Sequence, residues 1–106
     1  MRVELHPETQ AEFRAAAIWY DERQPGLGER FVSEVTSALA RLSEAPRSCT
    51  VWVDSRAVPV AVRKASVHGF PYVIAFEAID DRVFVLAIAH EKRRPMYWLP
   101  RFRGLV

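Results

Sequence analysis

The sequence predicts a soluble α+β protein in which two helices cover one face of an antiparallel sheet. Two amphipathic helical stripes follow one another between residues 7 and 45, and three apolar β-type segments follow them between residues 58 and 89. A short alternating segment precedes both groups. Because helices and strands are grouped rather than alternating, the order β-α-α-β-β-β is typical of an α+β layout.

Length and composition indicate one globular domain over residues 1–106. Half of the residues are hydrophobic and about a quarter are charged, with both signs mixed, which is unlike a disordered chain. No run reaches the roughly 18 apolar residues of a membrane span, and the N-terminus lacks the apolar stretch of a signal peptide, so we expect a cytoplasmic protein without membrane contact. The single cysteine excludes an internal disulfide. The histidines have no partner ligands in view, so we expect neither a metal site nor a cofactor.

The first half of the chain predicts an edge strand and then a helical hairpin. Met1–Leu5 alternates weakly between apolar and charged residues. Pro7 suits the first position of a helix that Pro25-Gly26 ends, and a second helix runs from there to Pro46. The apolar stripes comprise Phe13, Ala16, Ala17 and Tyr20 in the first helix and Leu27, Phe31, Val35, Ala38, Leu39 and Leu42 in the second. The charged residues that fall off the first stripe are Glu12, Arg14 and Glu22. Trp19 lies beside that stripe, either as rim packing or as part of a partner-binding surface.

The second half predicts a three-stranded meander. Residues 47–57 are interpreted as a loop with room for a short extended piece. The first strand of the meander runs from Val58 to about Val67, and Pro59 places its start at an edge or a bulge. Tyr72–Ala78 and Val83–Ala89 then form a hairpin. Because the last run is apolar at every position, we expect it to be an interior strand beside the first strand of the chain.

Turn lengths predict how this meander aligns. A two-residue turn at Asp80-Asp81 sets Tyr72 opposite Ala89, and a turn at His68-Gly69 sets Arg63 opposite Ile74. A one-residue slip would reverse the faces. The residues that then converge near one end of the sheet are Arg63, Lys64, Tyr72, His90 and the basic cluster 92–94. Where the other sheet face is open, we expect a concave surface with a charged rim.

Charge is unevenly distributed along the chain. Residues 1–50 hold six Lys/Arg against eight Asp/Glu, whereas residues 51–106 hold nine against five. A basic face of this kind suits a polyanion or an acidic protein partner. The alternative is a short basic tail that is solvated and has no partner.

The helical stretch from Ala15 to Pro46 and the later segments at Arg63, Phe70–Tyr72 and Val85–Trp98 together resemble the RelE/ParE superfamily, the toxin halves of bacterial type II toxin–antitoxin pairs. The stretch AAAIWYDERQPGLGERFVSEVTSALARLSEAP resembles the paired helices of that superfamily. Arg63, then Phe70-Pro71-Tyr72, then VLAIAHEKRRPMYW resemble its hairpin and C-terminal signature. The resemblance covers nearly the whole chain apart from residues 47–57, and it implies the RelE/ParE-like fold.

The resemblance implies a small cytoplasmic toxin that inhibits growth and is held inactive by a cognate antitoxin. RelE-like members cleave messenger RNA on the ribosome, whereas ParE-like members, also described as plasmid stabilisation proteins, inhibit DNA gyrase. The Phe70-Pro71-Tyr72 and Leu86–His90 features are closer to the ParE-like side and favour gyrase. A ribosome-dependent ribonuclease and a non-toxic antitoxin-binding remnant remain alternatives. Operator DNA is expected to be contacted only through the antitoxin, because nothing in the chain is typical of a recognition helix.

The two activities call for different residues. A metal-free ribonuclease needs cations around the phosphate and a group that exchanges protons near neutral pH; these would be Arg63, His90, Arg93 and Arg94. A protein-directed toxin would bind its target or antitoxin through Arg63, Tyr72, Lys92, Arg93, Arg94, Tyr97, Trp98 and Arg101. The presence of only two lysines counts against a ribonuclease.

A purely structural interpretation of the same residues stays open. His90 at a strand end is often a hydrogen-bonded structural residue. Tyr97 and Trp98 would fold the tail back onto the core, leaving Arg93, Arg94 and Arg101 solvated. Arg63 would pair with Glu77 across the hairpin.

Overall fold

A computed structural model describes residues 2–53, 56 and 60–101 of the chain. Within these residues it contains two α-helices and five strands. Their bounds are β1 Arg2–Leu5, α1 Pro7–Arg23, α2 Leu27–Glu44, β2 Thr50–Val53, β3 Val62–Ser66, β4 Tyr72–Ile79 and β5 Arg82–His90. The predicted strand start at Val58 and Pro59 lies outside the described residues.

The helices form the predicted hairpin, with a close crossing at its turn. Gly26 has a left-handed backbone with φ of 90°, a conformation that favours glycine. The Asp21 carboxylate accepts hydrogen bonds from the backbone N–H groups of Gly26 and Gly28, at 2.9 and 3.2 Å. A side chain at Gly28 would collide with the backbone of Ala17. The turn sequence therefore fixes how closely α2 lies against α1.

The sheet has the strand order β1-β5-β4-β3-β2, so β5 is interior and lies beside β1 as predicted. The α+β class and the element order are confirmed, with two differences in the sheet. β1 runs parallel to β5, which the long connection through both helices and the meander permits. Residues 47–57 also contribute β2, a fifth strand that pairs with β3.

The hairpin of β4 and β5 has the predicted turn but a different register at its far end. The residues flanking Asp80-Asp81 pair as expected. Tyr72, however, pairs with His90 rather than Ala89, because a β-bulge at Leu86 inserts one extra residue into β5. The bulge leaves the β4–β5 turn intact and moves His90 directly beside Tyr72.

The two faces of the sheet carry separate apolar cores. One face packs against the stripes of α1 and α2. The other face is covered by residues 91–101, here called the C-terminal strap, which fold back across the sheet. Trp98 of the strap is fully buried, and its ring lies 5.3 Å from that of Trp52. The face that was expected to be partly open is therefore closed by the strap.

Candidate functional site

A cleft of about 430 Å³ opens between α1 and the C-terminal end of β5. It exists because β1 pairs only with Arg82–Val85, so that the second half of β5 borders α1 and the strap instead of β1. We call it the α1 cleft, and its lining residues are Glu12, Ala15, Ala16, Trp19, Tyr20, Tyr72, Ile88, His90 and Arg93. Its volume falls in the range that holds a large side chain or a small ligand.

The walls of the α1 cleft are aromatic. The ring of Tyr72 lies 5.3 Å from that of His90 and 6.1 Å from that of Tyr20, in edge-to-face arrangements. Burial is the main cause that raises the pKa of both tyrosines. Trp19 is 49% exposed, with the Arg23 guanidinium stacked 3.7 Å from its ring centroid. Half-exposed aromatic rings beside a cation are typical of surfaces that bind other molecules.

One carboxylate at the edge of this cleft holds the C-terminal strap. Arg101 donates two hydrogen bonds to Glu12, at 2.8 Å to Oε1 and 2.9 Å to Oε2. The Tyr97 hydroxyl donates a third, at 2.7 Å to Oε2. Burial, the hydrogen bond to Glu12 and the charge of that carboxylate together raise the pKa of Tyr97, and the hydrogen bond to Glu12 raises the pKa of Arg101. The forked geometry is the strong, orientation-specific form of an arginine–carboxylate pair.

The bulge in β5 provides a second attachment for the same arginine. The Leu86 carbonyl accepts a hydrogen bond from the buried Thr9 hydroxyl at 2.6 Å and another from Arg101 Nη1 at 3.2 Å. Arg101 Nε also lies 3.1 Å from a Glu8 carboxylate oxygen. Arg101 is therefore bound to α1 and to β5 at once, and the strap end is fixed to both.

Residues 91–94, here called the basic turn, lie at the rim of the cleft. His90 Nδ1 accepts a hydrogen bond from the Lys92 backbone N–H at 3.1 Å, and the His90 carbonyl accepts one from the Arg93 N–H at 3.0 Å. His90 therefore makes the kind of hydrogen bond that the structural interpretation expects at a strand end. The Arg93 guanidinium stacks 3.9 Å from the Tyr97 ring centroid and lies 3.6 Å from Glu12 Oε2.

The structure brings most, but not all, of the predicted site residues together. The residues that meet at or beside the α1 cleft are Tyr72, His90, Arg93, Tyr97 and Arg101. Lys92 and Arg94 are exposed on the basic turn, so Arg94 is solvated as the structural interpretation held. That interpretation is confirmed for Tyr97 and Trp98, which fold onto the body of the protein, and wrong for Arg101, which is only 11% exposed.

The predicted convergence is wrong for Arg63 and Lys64. Arg63 pairs with Phe76 rather than Ile74, because the connection from β3 to β4 is longer than the two-residue turn that was assumed. Its guanidinium donates to the Cys49 carbonyl at 2.8 Å, away from the cleft.

Lys64 and Glu77 lie on the sheet face opposite Arg63. Lys64 points to the opposite sheet face, where its ammonium lies 5.2 Å from the ring centroid of Trp52. The expected pair between Arg63 and Glu77 is also wrong, because successive strand residues face opposite sides and Arg63 shares its face with Phe76.

Sequence reasoning missed Glu12, which was assigned to the polar side of α1. Its side chain is only 16% exposed, because the strap covers it. The available signal was the spacing of Glu8 and Glu12, which puts two carboxylates on one helix face. Five basic residues after residue 90 could have been matched to that pair.

Within residues 2–53, 56 and 60–101, no group of three or more His, Cys, Asp or Glu side chains is close enough to hold a metal ion. In that part of the chain, neither helix combines the length and apolar character needed to cross a bilayer.

Comparison with known proteins gives a family and a fold. A family model described as the ParE toxin of type II toxin–antitoxin system, parDE, matches residues 3–95. A solved structure entitled "Chromosomal ParDE TA system from P. aeruginosa" aligns with a TM-score of 0.69 and 16% identity. That alignment covers 85% of this chain and 95% of the other. No curated protein matches the chain significantly.

Proposed function

The chain belongs to the ParE toxin family of type II toxin–antitoxin systems, and we propose that it inhibits DNA gyrase and is neutralised by a cognate antitoxin protein. The solved relative is itself described as a ParDE toxin–antitoxin system, which supports an antitoxin partner for this chain. The protein would act in the cytoplasm, where its target is. Operator DNA would be reached only through the antitoxin.

The position of Arg63 is the observation that favours a protein target over RNA. A ribonuclease would need Arg63, His90 and an arginine of the basic turn around one phosphate. Arg63 instead donates to the Cys49 carbonyl at 2.8 Å. His90 uses Nδ1 to accept the Lys92 N–H. Arg63 therefore lies away from His90 and Arg93, which both line the α1 cleft, so the three groups do not surround a common phosphate position.

The charge and surface of the α1 cleft also suit a protein better than a nucleic acid. The carboxylate of Glu12 lies beside Arg93 at the cleft edge, and it would repel a phosphate held there. Trp19, Tyr72 and Arg93 are the residue types that dominate binding energy in protein interfaces. A target segment would place an apolar side chain in the cleft.

The basic turn would add selectivity for an acidic partner. Lys92 and Arg94 are exposed at the rim, where acidic groups of gyrase or of the antitoxin could meet them. Charges at the rim of an interface accelerate and orient association more than they add affinity. An antitoxin that covers the same rim would block the target directly.

A supercoiling assay tests this proposal. Purified chain is added to DNA gyrase, relaxed plasmid and ATP, and the fraction of supercoiled product is measured against chain concentration. Inhibition that is reversed by the purified antitoxin would support the proposal. Unaffected gyrase at large excess of chain would contradict it.

The two alternatives are separated by induction in cells. Codon-phased new 5′ ends in cellular RNA would indicate a ribosome-dependent ribonuclease. Unimpaired growth without the antitoxin, with antitoxin binding retained, would indicate a non-toxic binding remnant. Arrested growth with intact transcripts is the result expected for a gyrase inhibitor.

A further inference from the structure

We propose that Glu12 is a positioning residue: it holds the C-terminal strap against α1 and thereby fixes the basic turn at the rim of the α1 cleft. The effect on gyrase rests on the proposed function above, whereas the holding of the strap does not. Glu12 would act through Arg93, Tyr97 and Arg101 rather than by touching the target. Two of these partners, Tyr97 and Arg101, lie beyond the end of the family match at residue 95.

The first argument is how the strap is attached. Beyond Glu91, the backbone hydrogen bonds of the described strap residues are local. Their N–H donors are Arg93, Tyr97, Leu99 and Arg101, and their acceptors are the carbonyls of His90, Arg94, Met96 and Trp98. The strap is therefore folded on itself but attached to the body by side chains. The attachments are the buried ring of Trp98, the packing of Met96 and Leu99 on the same core, and the contacts of Tyr97, Arg93 and Arg101 with Glu12 and its neighbours.

The second argument is that Glu12 itself is held firmly. It lies within α1, three residues after Thr9, whose buried hydroxyl donates to the Leu86 carbonyl at 2.6 Å. This contact fixes the N-terminal part of α1 against the bulge of β5. Arg101 donates both to that carbonyl and to Glu12. The carboxylate and the carbonyl therefore form one rigid receptor for the strap end.

The third argument connects this receptor to the basic turn. The Arg93 guanidinium lies between Glu12 Oε2, at 3.6 Å, and the ring of Tyr97, at 3.9 Å from the centroid. Tyr97 in turn is held by its hydrogen bond to the same oxygen. Without the carboxylate, Tyr97 and Arg93 lose their common anchor. Arg93 lines the cleft, so the rim would lose a fixed cation together with the strap.

The chain offers a matched control for this carboxylate. Glu8 lies one helical turn earlier and also contacts Arg101, at 3.1 Å, but its side chain is 67% exposed. An exposed ion pair contributes little. Glu8→Gln removes the same charge from the same helix as Glu12→Gln. Only Glu12→Gln also alters the contacts with Tyr97 and Arg93.

The test uses the full chain, with Trp19→Phe as background for the fluorescence measurement alone, so that Trp52 and Trp98 report on the strap, and with Trp19 in place for the inhibition measurement. Quenching of tryptophan fluorescence by acrylamide measures whether the strap covers the two rings. The concentration of chain that half-inhibits gyrase measures function. For Glu12→Gln we expect increased quenching and, on the order of tenfold, a higher concentration for half-inhibition, as loss of a charged hydrogen-bonded pair predicts. Glu8→Gln should stay within about twofold on both measurements, as exposed pairs do.

A double variant shows whether Glu12 acts through Tyr97. Tyr97→Phe removes one hydroxyl and leaves the ring, so increased quenching in this variant alone tests the anchor should Glu12→Gln not fold, and unchanged quenching would contradict it. If both residues belong to one anchor, Glu12→Gln with Tyr97→Phe should lose little more inhibition than Glu12→Gln alone. Fully additive losses would contradict a shared anchor.

The remaining outcomes overturn different statements. Unchanged quenching together with lost inhibition would mean that Glu12 contacts the target, which contradicts a positioning role. Unchanged quenching and unchanged inhibition would show that the carboxylate does not hold the strap. If the parent chain does not inhibit gyrase at all, the proposed function fails, while the quenching difference between Glu12→Gln and Glu8→Gln still decides whether Glu12 holds the strap.

Discussion

Each face of the sheet carries an apolar core, but the two cores are closed by different kinds of contact. On the helix face, two helices of 17 and 18 residues repeat their apolar contacts along their length. On the strap face, a short segment closes the core with the ring of Trp98, the partly buried side chains of Met96, Tyr97 and Leu99, and the contacts of Glu12. When contacts are repeated along a helix, the remaining ones keep it in place after one side chain is lost, whereas a segment with few attachments can open locally. We infer that the helix face maintains the fold and that the strap face positions the binding surface.

The composition of the strap face explains how the ring of Trp98 fits between the strap and the sheet. The small residues Ala75, Ala87 and Ala89 lie beneath the strap and leave space above the sheet. The ring of Trp98 occupies that space and is fully buried. Trp98 is therefore the largest fully buried side chain that the strap contributes.

The largest loss of stability should follow from Phe31→Ala, on the helix face. Phe31 is fully buried, and its ring lies within 5.8 Å of the rings of Phe13, Tyr20, Phe70 and Tyr72. We expect the free energy of unfolding to fall by about 3–5 kcal/mol, because an enclosed cavity remains. Denaturant unfolding measures this free energy. If Phe31→Ala lost less stability than Trp98→Ala, the helix face would not be the one that maintains the fold.

Trp98→Ala should cost less than Phe31→Ala although the indole ring is larger. The strap can detach and let water reach the sheet, so the cost is limited to lost burial, about 1.5–3 kcal/mol. Inhibition of gyrase should nevertheless be lost, because the basic turn is no longer fixed. A variant that retains full inhibition would contradict the link between the strap and the binding surface.

Alkaline pH should lower the stability of the folded chain, through Tyr20 and Tyr72 on the helix face and Tyr97 on the strap face. All three tyrosines have a pKa raised above the ordinary value of 10.0 in the folded chain, by burial first, and for Tyr97 also by its hydrogen bond to Glu12. Above pH 10 the unfolded chain therefore binds fewer protons than the folded chain, so the free energy of unfolding falls as pH rises, whereas below pH 10 the contribution is fully present.

The measurement is denaturant unfolding at a series of alkaline pH values, with Tyr97→Phe as comparison. The variant should lose less stability between neutral and alkaline pH than the parent chain, because it has one fewer such group. Equal pH dependence would show that Tyr97 is neither buried by the strap nor held by Glu12 in solution.

The smallest loss of stability should come from the basic turn. Lys92 and Arg94 are exposed, so Lys92→Glu with Arg94→Glu should change the free energy of unfolding by less than about 0.5 kcal/mol. Arg93 is left unaltered, because a carboxylate there would face Glu12 and disturb the strap. A large loss of stability would show that the basic turn is structural rather than available to a partner.

The helix face was predictable from the sequence because its signals are local. The stripe around Phe31 and Val35 repeats at helical spacing, and Pro25-Gly26 and Pro46 mark the ends. The continuous apolar run of β5 likewise indicated an interior strand. Each of these inferences needed only residues within one element.

The strap face was not predictable because its contacts are distant or leave no pattern. Glu12 and Arg101 are 89 positions apart, and a glutamate on an amphipathic helix is normally solvated. The bulge at Leu86 lies in a run that is apolar on both faces, so inserting one residue changes no visible alternation. The position of Arg63 depended on the length of one turn, to which register is most sensitive.

The central claim is that the basic turn beside the α1 cleft delivers inhibition of DNA gyrase. The most direct measurement is the concentration of chain that half-inhibits supercoiling, compared among the parent, Lys92→Glu with Arg94→Glu, and Arg41→Glu with Arg47→Glu. The last pair makes the same charge change at exposed positions on α2 and the turn after it. We predict that only the basic-turn variant loses inhibition, while both variants unfold like the parent. Equal inhibition by all three chains, or equal loss in both variants, would contradict the claim.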